Sequence, residues 1–148
     1  MRIELAILPN LTGEMDELVH EYYDKLDADP ELPPLDMNWD LYVHLWEKEH
    51  LLSVAAQDER LQGFVMYHVS YHPHYQRVLF AQCDIIAVRK TARGRGIGRR
   101  MMAYAEPLLK SMDVKVVLHN FRSCYGETPL FPKVGYRLFE HNFIKVLS

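Results

Sequence analysis

Cysteine is scarce in this chain: two residues in 148, Cys83 and Cys124. One pair cannot build a disulfide framework, so an apolar core has to hold the fold. The reading is a cytoplasmic protein with reduced thiols. Long apolar runs are missing as well. No stretch approaches the roughly 18 residues that would cross a bilayer, which argues against a membrane protein. The start, Met1-Arg2-Ile3-Glu4, does not read as a signal peptide, because Glu4 interrupts the apolar run at once. Repeats, low-complexity tracts and linkers are not evident. Glycine is also sparse, with seven residues, yet three of them crowd together as Gly94, Gly96 and Gly98. What remains is ordinary: 49% apolar and 25% charged residues, the balance of a globular protein. The length suits one domain spanning residues 1–148.

The net charge of −3 conceals a division along the chain. Residues 1–60 carry 15 acids and 4 bases, whereas residues 61–148 carry 5 acids and 13 bases. Six of those bases lie between Arg89 and Arg100. Either the two halves simply have solvated faces, or the second half holds a polyanion and the first faces a cation.

Apolar alternation makes Arg2–Leu8 a strand. Thr12 is a plausible N-cap for a helix carrying Met15, Leu18, Val19, Tyr22 and Leu26. Prolines break the chain between Asp27 and Leu35. A shorter helix fits Asn38–Glu49, with Trp39, Tyr42, Leu45 and Trp46 near one face. Strands follow at Leu51–Ala56, Leu61–Tyr71 and Val78–Val88, the last apolar enough to be central. A glycine- and arginine-rich loop spans Thr91–Gly98, then a helix runs from Gly98 to Met112, where Pro107 should bend it. Val114–His119 is a strand, Leu130–Lys133 one helical turn, and Tyr136–Leu147 one or two further strands. The order predicts an α+β fold: a mixed, mostly antiparallel central sheet with helices on both faces.

A buried strand that runs into a glycine-rich turn and then a helix is a setting for anion binding. The helix start presents unpaired N–H groups and partial positive charge. Glycines let the backbone curve and let a phosphate approach closely. The loop Arg93-Gly94-Arg95-Gly96-Ile97-Gly98 therefore reads as a pyrophosphate site, with Arg89, Lys90, Arg99 and Arg100 adding charge. A Walker loop is excluded because Arg99-Arg100, not Lys-Ser/Thr, follows Gly98. A dinucleotide fold needs G-x-G-x-x-G after the first strand; the spacing here is G-x-G-x-G and comes late.

Asp84-Ile85-Ile86-Ala87-Val88 followed by Arg93-x-x-Gly96-x-Gly98 resembles the R/Q-x-x-G-x-G/A signature of GNAT-type N-acyltransferases. Leu130-Phe131-Pro132-Lys133-Val134-Gly135-Tyr136 is similar to that family's L-Y-x-K-x-G-F, and the element order matches across nearly the whole chain. The resemblance implies acetyl-CoA as acyl donor. Its pantetheine arm would lie in an opening between the strands ending at Val88 and His119, beside Ile86, Ala87 and Val88. Its pyrophosphate would rest on amides from Arg93 to Arg99, with Asn120 and Phe131 bordering the arm. The implied reaction is direct attack of an amine on the thioester.

Two positions depart from the pattern. Gln82 stands where many members carry a glutamate base, and Phe131 where they carry a tyrosine acid. Asp84, two residues after Gln82, would share a face with Gln82 and Ile86 in a regular strand. An acid in so apolar a strand should have a raised pKa, useful to a base. Its other reading is a strand carboxylate paired with an arginine. Tyr125 is the replacement acid, with Cys124 beside it, and His119 a further base or substrate contact. His68, His72 and His74 surround a turn; His-x-His suits a metal, but no third ligand is evident. Trp39, Tyr42 and Trp46 read as core that also borders the acceptor. Glu31, Asp29, Asp36 and Asp40 would attract a cationic amine, small molecule or protein. Family members are often homodimers. Two other readings stay open: a CoA-binding regulatory or interaction module with little catalysis, favoured by Gln82 and Phe131, and a nucleic-acid binder using the Arg89–Arg100 cluster, which the overall acidity weakens.

Overall fold

The computed structural model describes residues 1–26, 31–120 and 130–147. Along the chain the elements are β1 (Arg2–Leu5), α1 (Thr12–Leu26), α2 (Trp39–Glu47), β2 (Leu51–Gln57), β3 (Leu61–His72), β4 (Tyr75–Val88), α3 (Ile97–Ser111), β5 (Val114–His119) and α4 (Leu130–Lys133). Short 3₁₀ turns at Leu8–Asn10 and Lys90–Ala92 precede α1 and α3. The five strands form one sheet in the order β1-β2-β3-β4-β5, antiparallel throughout except for the parallel β4–β5 pair. This is the mixed α+β sheet expected from the sequence.

Each face of the sheet is covered because strands and helices alternate their apolar residues in register with it. On one face α3 buries Ile97, Met101, Ala105 and Leu109 against Val54, Val65, Tyr67, Ala81 and Cys83. On the other, α1 buries Met15, Leu18 and Val19 against Leu51, Ala55, Phe64, Met66, Ile85 and Ala87. Trp39, Tyr42, Val43, Leu45 and Trp46 of α2 extend that second core. Asn38 caps α2 by accepting the Leu41 N–H at 3.1 Å. The helix α3 continues through Pro107 to Ser111.

Two expectations need correction. The first strand stops at Leu5, because Pro9 and the 3₁₀ turn that begins at Leu8 redirect the chain sooner than alternation alone suggests. No strand forms over Tyr136–Leu147. Leu138, Phe139, Phe143, Ile144 and Leu147 are all exposed there. Alternation marked that segment as a strand, but the described chain gives it no ladder partner, and a strand needs one.

Candidate functional site

The sheet splits where β4 outruns β5. Parallel pairing runs from Leu79↔Val114 to Cys83↔His119 and stops. From Ile85 to Val88, β4 is paired only with β3 among the described residues. Among the described residues this stretch of β4 therefore keeps one backbone edge open, at the place where the resemblance implies an opening. Ile86 and Val88 are half-buried and pack towards the α3 face. The Val88 carbonyl already accepts the Arg93 Nε–H at 3.0 Å.

That open edge leads directly into the glycine loop. Gly94 and Gly96 have φ of 79° and 70°, backbone positions that favour glycine. Gly96 is the N-cap of α3, and the first backbone bond of the helix runs from Arg100 N–H to Gly96 O at 3.0 Å. The amides of Ile97, Gly98 and Arg99 consequently point out of the helix start. A Cβ added at Gly94 or Gly96 would meet nothing within 4 Å, so those glycines serve conformation and leave space above the backbone. Lys90, Arg95, Arg99 and Arg100 are exposed around this concave run of N–H groups. Amides, dipole and cations together suit a pyrophosphate.

Two arginines leave the basic cluster. Arg89 is 4% exposed. It turns inward, donating from Nε to the Leu61 carbonyl at 3.0 Å and from Nη1 to Glu17 Oε1 at 2.8 Å. Arg93 is half-buried, bonds to Val88, and sits over the Tyr22 ring at 5.1 Å. Both arginines shape the loop from beneath. The acids of α1 take part in the same work: Glu14 accepts the Leu61 N–H at 2.7 Å, and Glu21 the Lys90 N–H at 3.2 Å. Glu14, Glu17 and Glu21 follow helical spacing, so part of the charge division is spent joining the two halves of the chain.

Asp84 lies on the other face of the split. The β3–β4 register slips between Met66 and Tyr67, whose partners are Ile85 and Cys83, leaving Asp84 as an extra, bulged residue. Tyr42 Oη donates to Asp84 Oδ2 at 2.7 Å, and His68 Nε2 lies 3.2 Å from Oδ1. Asp84 thus shares the α2 face with Ile85, and Ile86 turns to the opposite face. The regular alternation that put Asp84 and Ile86 on one face fails at the bulge. The expected rise in its pKa is reversed too. Burial raises it, but the bonds from His68 and Tyr42 outweigh burial and hold the carboxyl below its ordinary value. Its partners are a histidine and a tyrosine, not the arginine considered from the sequence.

His119 ends β5 at the apex of the split. Its Nε2 lies 3.3 Å from Tyr67 Oη, and its ring is 5.2 Å from Phe131 and 5.0 Å from Tyr136. Burial pushes its pKa down to about 4, so the imidazole is neutral at pH 7. Its Nδ1 is buried with no hydrogen-bond partner among the described residues. Asn120 follows it and is exposed. Tyr125 and Cys124 lie outside the described residues. Tyr136 is the site residue the sequence reading passed over: the Tyr136 N–H donates to the Phe131 carbonyl at 2.9 Å, placing the ring on His119. Its phenol is pushed up to about 12, mainly by burial. Its sequence signal is its place one residue after Gly135. His72 and His74 pack on each other at the β3–β4 turn, 4.8 Å between rings.

Comparison with known proteins matches this geometry. A model of the acetyltransferase (GNAT) family matches residues 14–136. No curated protein sequence matches the chain. Among solved structures, a predicted acetyltransferase from Clostridium acetobutylicum with acetyl-CoA superposes with a TM-score of 0.77 at 11% identity, over 98% of this chain and 94% of that one. A ribosomal-protein-alanine N-acetyltransferase from Brucella melitensis gives 0.70 at 18% identity, over 99% of both chains. Glucosamine-6-phosphate N-acetyltransferase from Arabidopsis thaliana gives 0.73 at 10% identity, over 99% of this chain and 98% of that one. At these identities the superpositions show a shared fold.

Proposed function

We propose that this chain, which belongs to the acetyltransferase (GNAT) family, transfers the acetyl group of acetyl-CoA to an amine by direct attack. The observation that carries the reading is the split beyond Cys83 and His119, opening onto the Gly94–Arg99 amides. An extended arm fits along the free edge of β4, and a pyrophosphate fits the helix start. In that arrangement Arg95, Arg99 and Arg100 screen the phosphates. Ile86, Ala87, Val88 and Asn120 border the arm, and Phe131 closes its end against His119.

The thioester would lie near the apex, between His119 on one face and the Asp84 cluster on the other. An ammonium must lose a proton before it can attack. We assign that step to the Asp84 cluster, because neutral His119 is held in apolar surroundings and suits contact better than proton uptake. The departing thiolate can accept a hydrogen bond from Tyr136 or from Tyr125. The acceptor we propose is a cationic amine. Asp36 just before α2 and Asp40 in its first turn are exposed, on the side of the sheet that α2 shares with Asp84, and would draw a cation to the cluster. The named acceptors of two structural neighbours, a sugar phosphate amine and a protein alanine, are both amines. We place the protein in the cytoplasm on its sparse cysteines and its free, buried Cys83. Among the described residues no helix is long and apolar enough to cross a membrane. A homodimer would cover the exposed apolar side chains between Leu138 and Leu147, which sedimentation at two concentrations tests.

Calorimetry with acetyl-CoA tests the first step, followed by thiol release against spermidine, glucosamine 6-phosphate, an aminoglycoside and a peptide with a free N-terminal alanine. Saturable binding with acceptor-dependent release is expected. An absence of binding at millimolar acetyl-CoA overturns the reading. Binding without release from any amine would favour the second reading, a CoA-responsive interaction module, for which Gln82 and Phe131 speak.

A further inference from the structure

Cofactor binding leaves one polar cluster unexplained: Tyr42 from α2, His68 from β3 and Asp84 from β4. Three elements converge there only because of the bulge. Without the extra residue, Asp84 could not lie on the α2 face together with Ile85. A carboxylate only accepts hydrogen bonds. Both oxygens of Asp84 are engaged, Oδ2 by the Tyr42 hydroxyl at 2.7 Å and Oδ1 by His68 Nε2 at 3.2 Å. A carboxylate so held is a poor proton acceptor. With Nε2–H donating to Asp84, the lone pair of neutral His68 resides on Nδ1. The His68 side chain is 34% exposed, so it remains within reach of a solute. Of the titratable groups around it, Asp84 faces it from β4 and Tyr42 from α2, while Tyr23 of α1 acts on Tyr42. From β2 its register partner is apolar Leu51, and Gln82 lies opposite on β4.

We infer that His68 takes the proton from the acceptor ammonium, and that Asp84 is a positioning residue that fixes the imidazole tautomer and balances the charge it gains. This inference rests on the acyl-transfer reading and names its proton acceptor. Nδ1 of His68 removes one proton from R–NH3⁺, leaving R–NH2 and an imidazolium beside the carboxylate. The amine nitrogen bonds to the acetyl carbon, and the C–S bond breaks with its electron pair on sulfur. A second proton passes from nitrogen to that sulfur, and the imidazolium returns its proton to solvent. A carboxylate that orients a histidine in this way is a general device for proton transfer. Tyr42 ties the cluster to α2, so the helix that borders the acceptor also sets the geometry of the base.

The test combines kinetics with a spectroscopic readout that needs no acceptor. In pH–rate profiles with the fastest amine of the panel, His68→Gln should remove the step on the acidic limb and lower kcat by about 100-fold. Asp84→Asn should keep that step and lower kcat about tenfold, with acetyl-CoA affinity unchanged in both variants by calorimetry. A step lost in Asp84→Asn and kept in His68→Gln overturns the inference, as does a step kept unchanged in both. Nitrogen-15 spectra of labelled histidines, with the His68 signal assigned by its loss in His68→Gln, should show neutral His68 protonated on Nε2. Protonation on Nδ1 overturns the inference, because the lone pair would then face Asp84. Failure of the wild-type protein to bind acetyl-CoA would defeat acyl transfer instead, and would leave the tautomer result standing.

Discussion

Arg89 reaches from the end of β4 to Glu17 on α1, Nη1 to Oε1 at 2.8 Å, with its own side chain almost wholly buried. The contact joins the acidic half of the chain to the basic half directly beneath the glycine loop. It also separates two kinds of arginine that the sequence lists side by side. Arg89→Ala would leave the Leu61 carbonyl and Glu17 unpaired and empty the space the side chain fills. A loss of about 2–4 kcal/mol is expected, read as a lower midpoint in urea, with acetyl-CoA affinity nearly unchanged where the protein is folded. Arg99→Ala should do the reverse, weakening acetyl-CoA and sparing stability. Equal loss of affinity in both would return Arg89 to the phosphate site.

Gly96 carries the bend that turns the loop into α3. At φ 70° an alanine is strained even though its methyl group meets nothing within 4 Å. Gly96→Ala should cost about 1–2 kcal/mol of stability from the backbone alone. Its larger effect is expected on the cofactor, because relieving the strain re-aims the amides of Ile97 and Gly98. Calorimetry should show acetyl-CoA binding weakened about tenfold or more. Full affinity at reduced stability would mean that these amides do not carry the pyrophosphate.

His119 makes stability depend on pH. Its folded pKa, about 4, lies below the ordinary 6.5. Between those values the unfolded chain holds a proton that the folded chain excludes, so stability rises with pH there. The contribution is complete above about pH 6.5 and is lost as the pH falls towards 4, with an upper bound of about 3 kcal/mol. Asp84 and Glu17 are held below their ordinary values, so their losses begin only nearer pH 4.5. Urea titrations between pH 7 and 5 should therefore show a slope in the wild-type protein and a much flatter line in His119→Phe. The absolute stability of the variant will also drop, because Tyr67 Oη loses its partner, so the slope is the quantity to read. A slope of the same size in His119→Phe would show that the imidazole is not the group excluded.

The glycine loop was legible in the sequence because its signal is local. A strand, alternating glycines and a helix start determine how the backbone turns wherever the rest of the chain lies. The split was anticipated through resemblance, and in the structure it begins where β4–β5 pairing stops at Cys83 and His119. The Asp84 cluster was not legible, for a physical reason. A period of two assumes a regular strand, and one extra residue reverses every side chain beyond it. The bulge is set by pairing between β3 and β4, which no pattern within β4 reveals. Likewise, nothing in a run of six bases says that Arg89 turns inward. That depends on Glu17, 72 residues away in sequence.

Tyr136 gives the sharpest comparison with the family pattern, because Phe131 has no proton to offer. The two rings lie 5.8 Å apart, both against His119, so Tyr136 brings a phenol to the same aromatic group as Phe131. A phenol pushed up to about 12 stays protonated at every assay pH. It is also a weaker acid than a departing thiol, so it would stabilise the thiolate by hydrogen bonding without surrendering its proton. A hydrogen bond to a charged group is worth about 1.5–3 kcal/mol net, which corresponds to a fall in kcat of roughly 10- to 150-fold in Tyr136→Phe. Acetyl-CoA affinity should be unchanged, since the hydroxyl acts only as the C–S bond breaks. The same measurement on Tyr125→Phe decides between the two phenols. A fall confined to Tyr125→Phe would remove Tyr136 from the chemistry and leave it packing against His119.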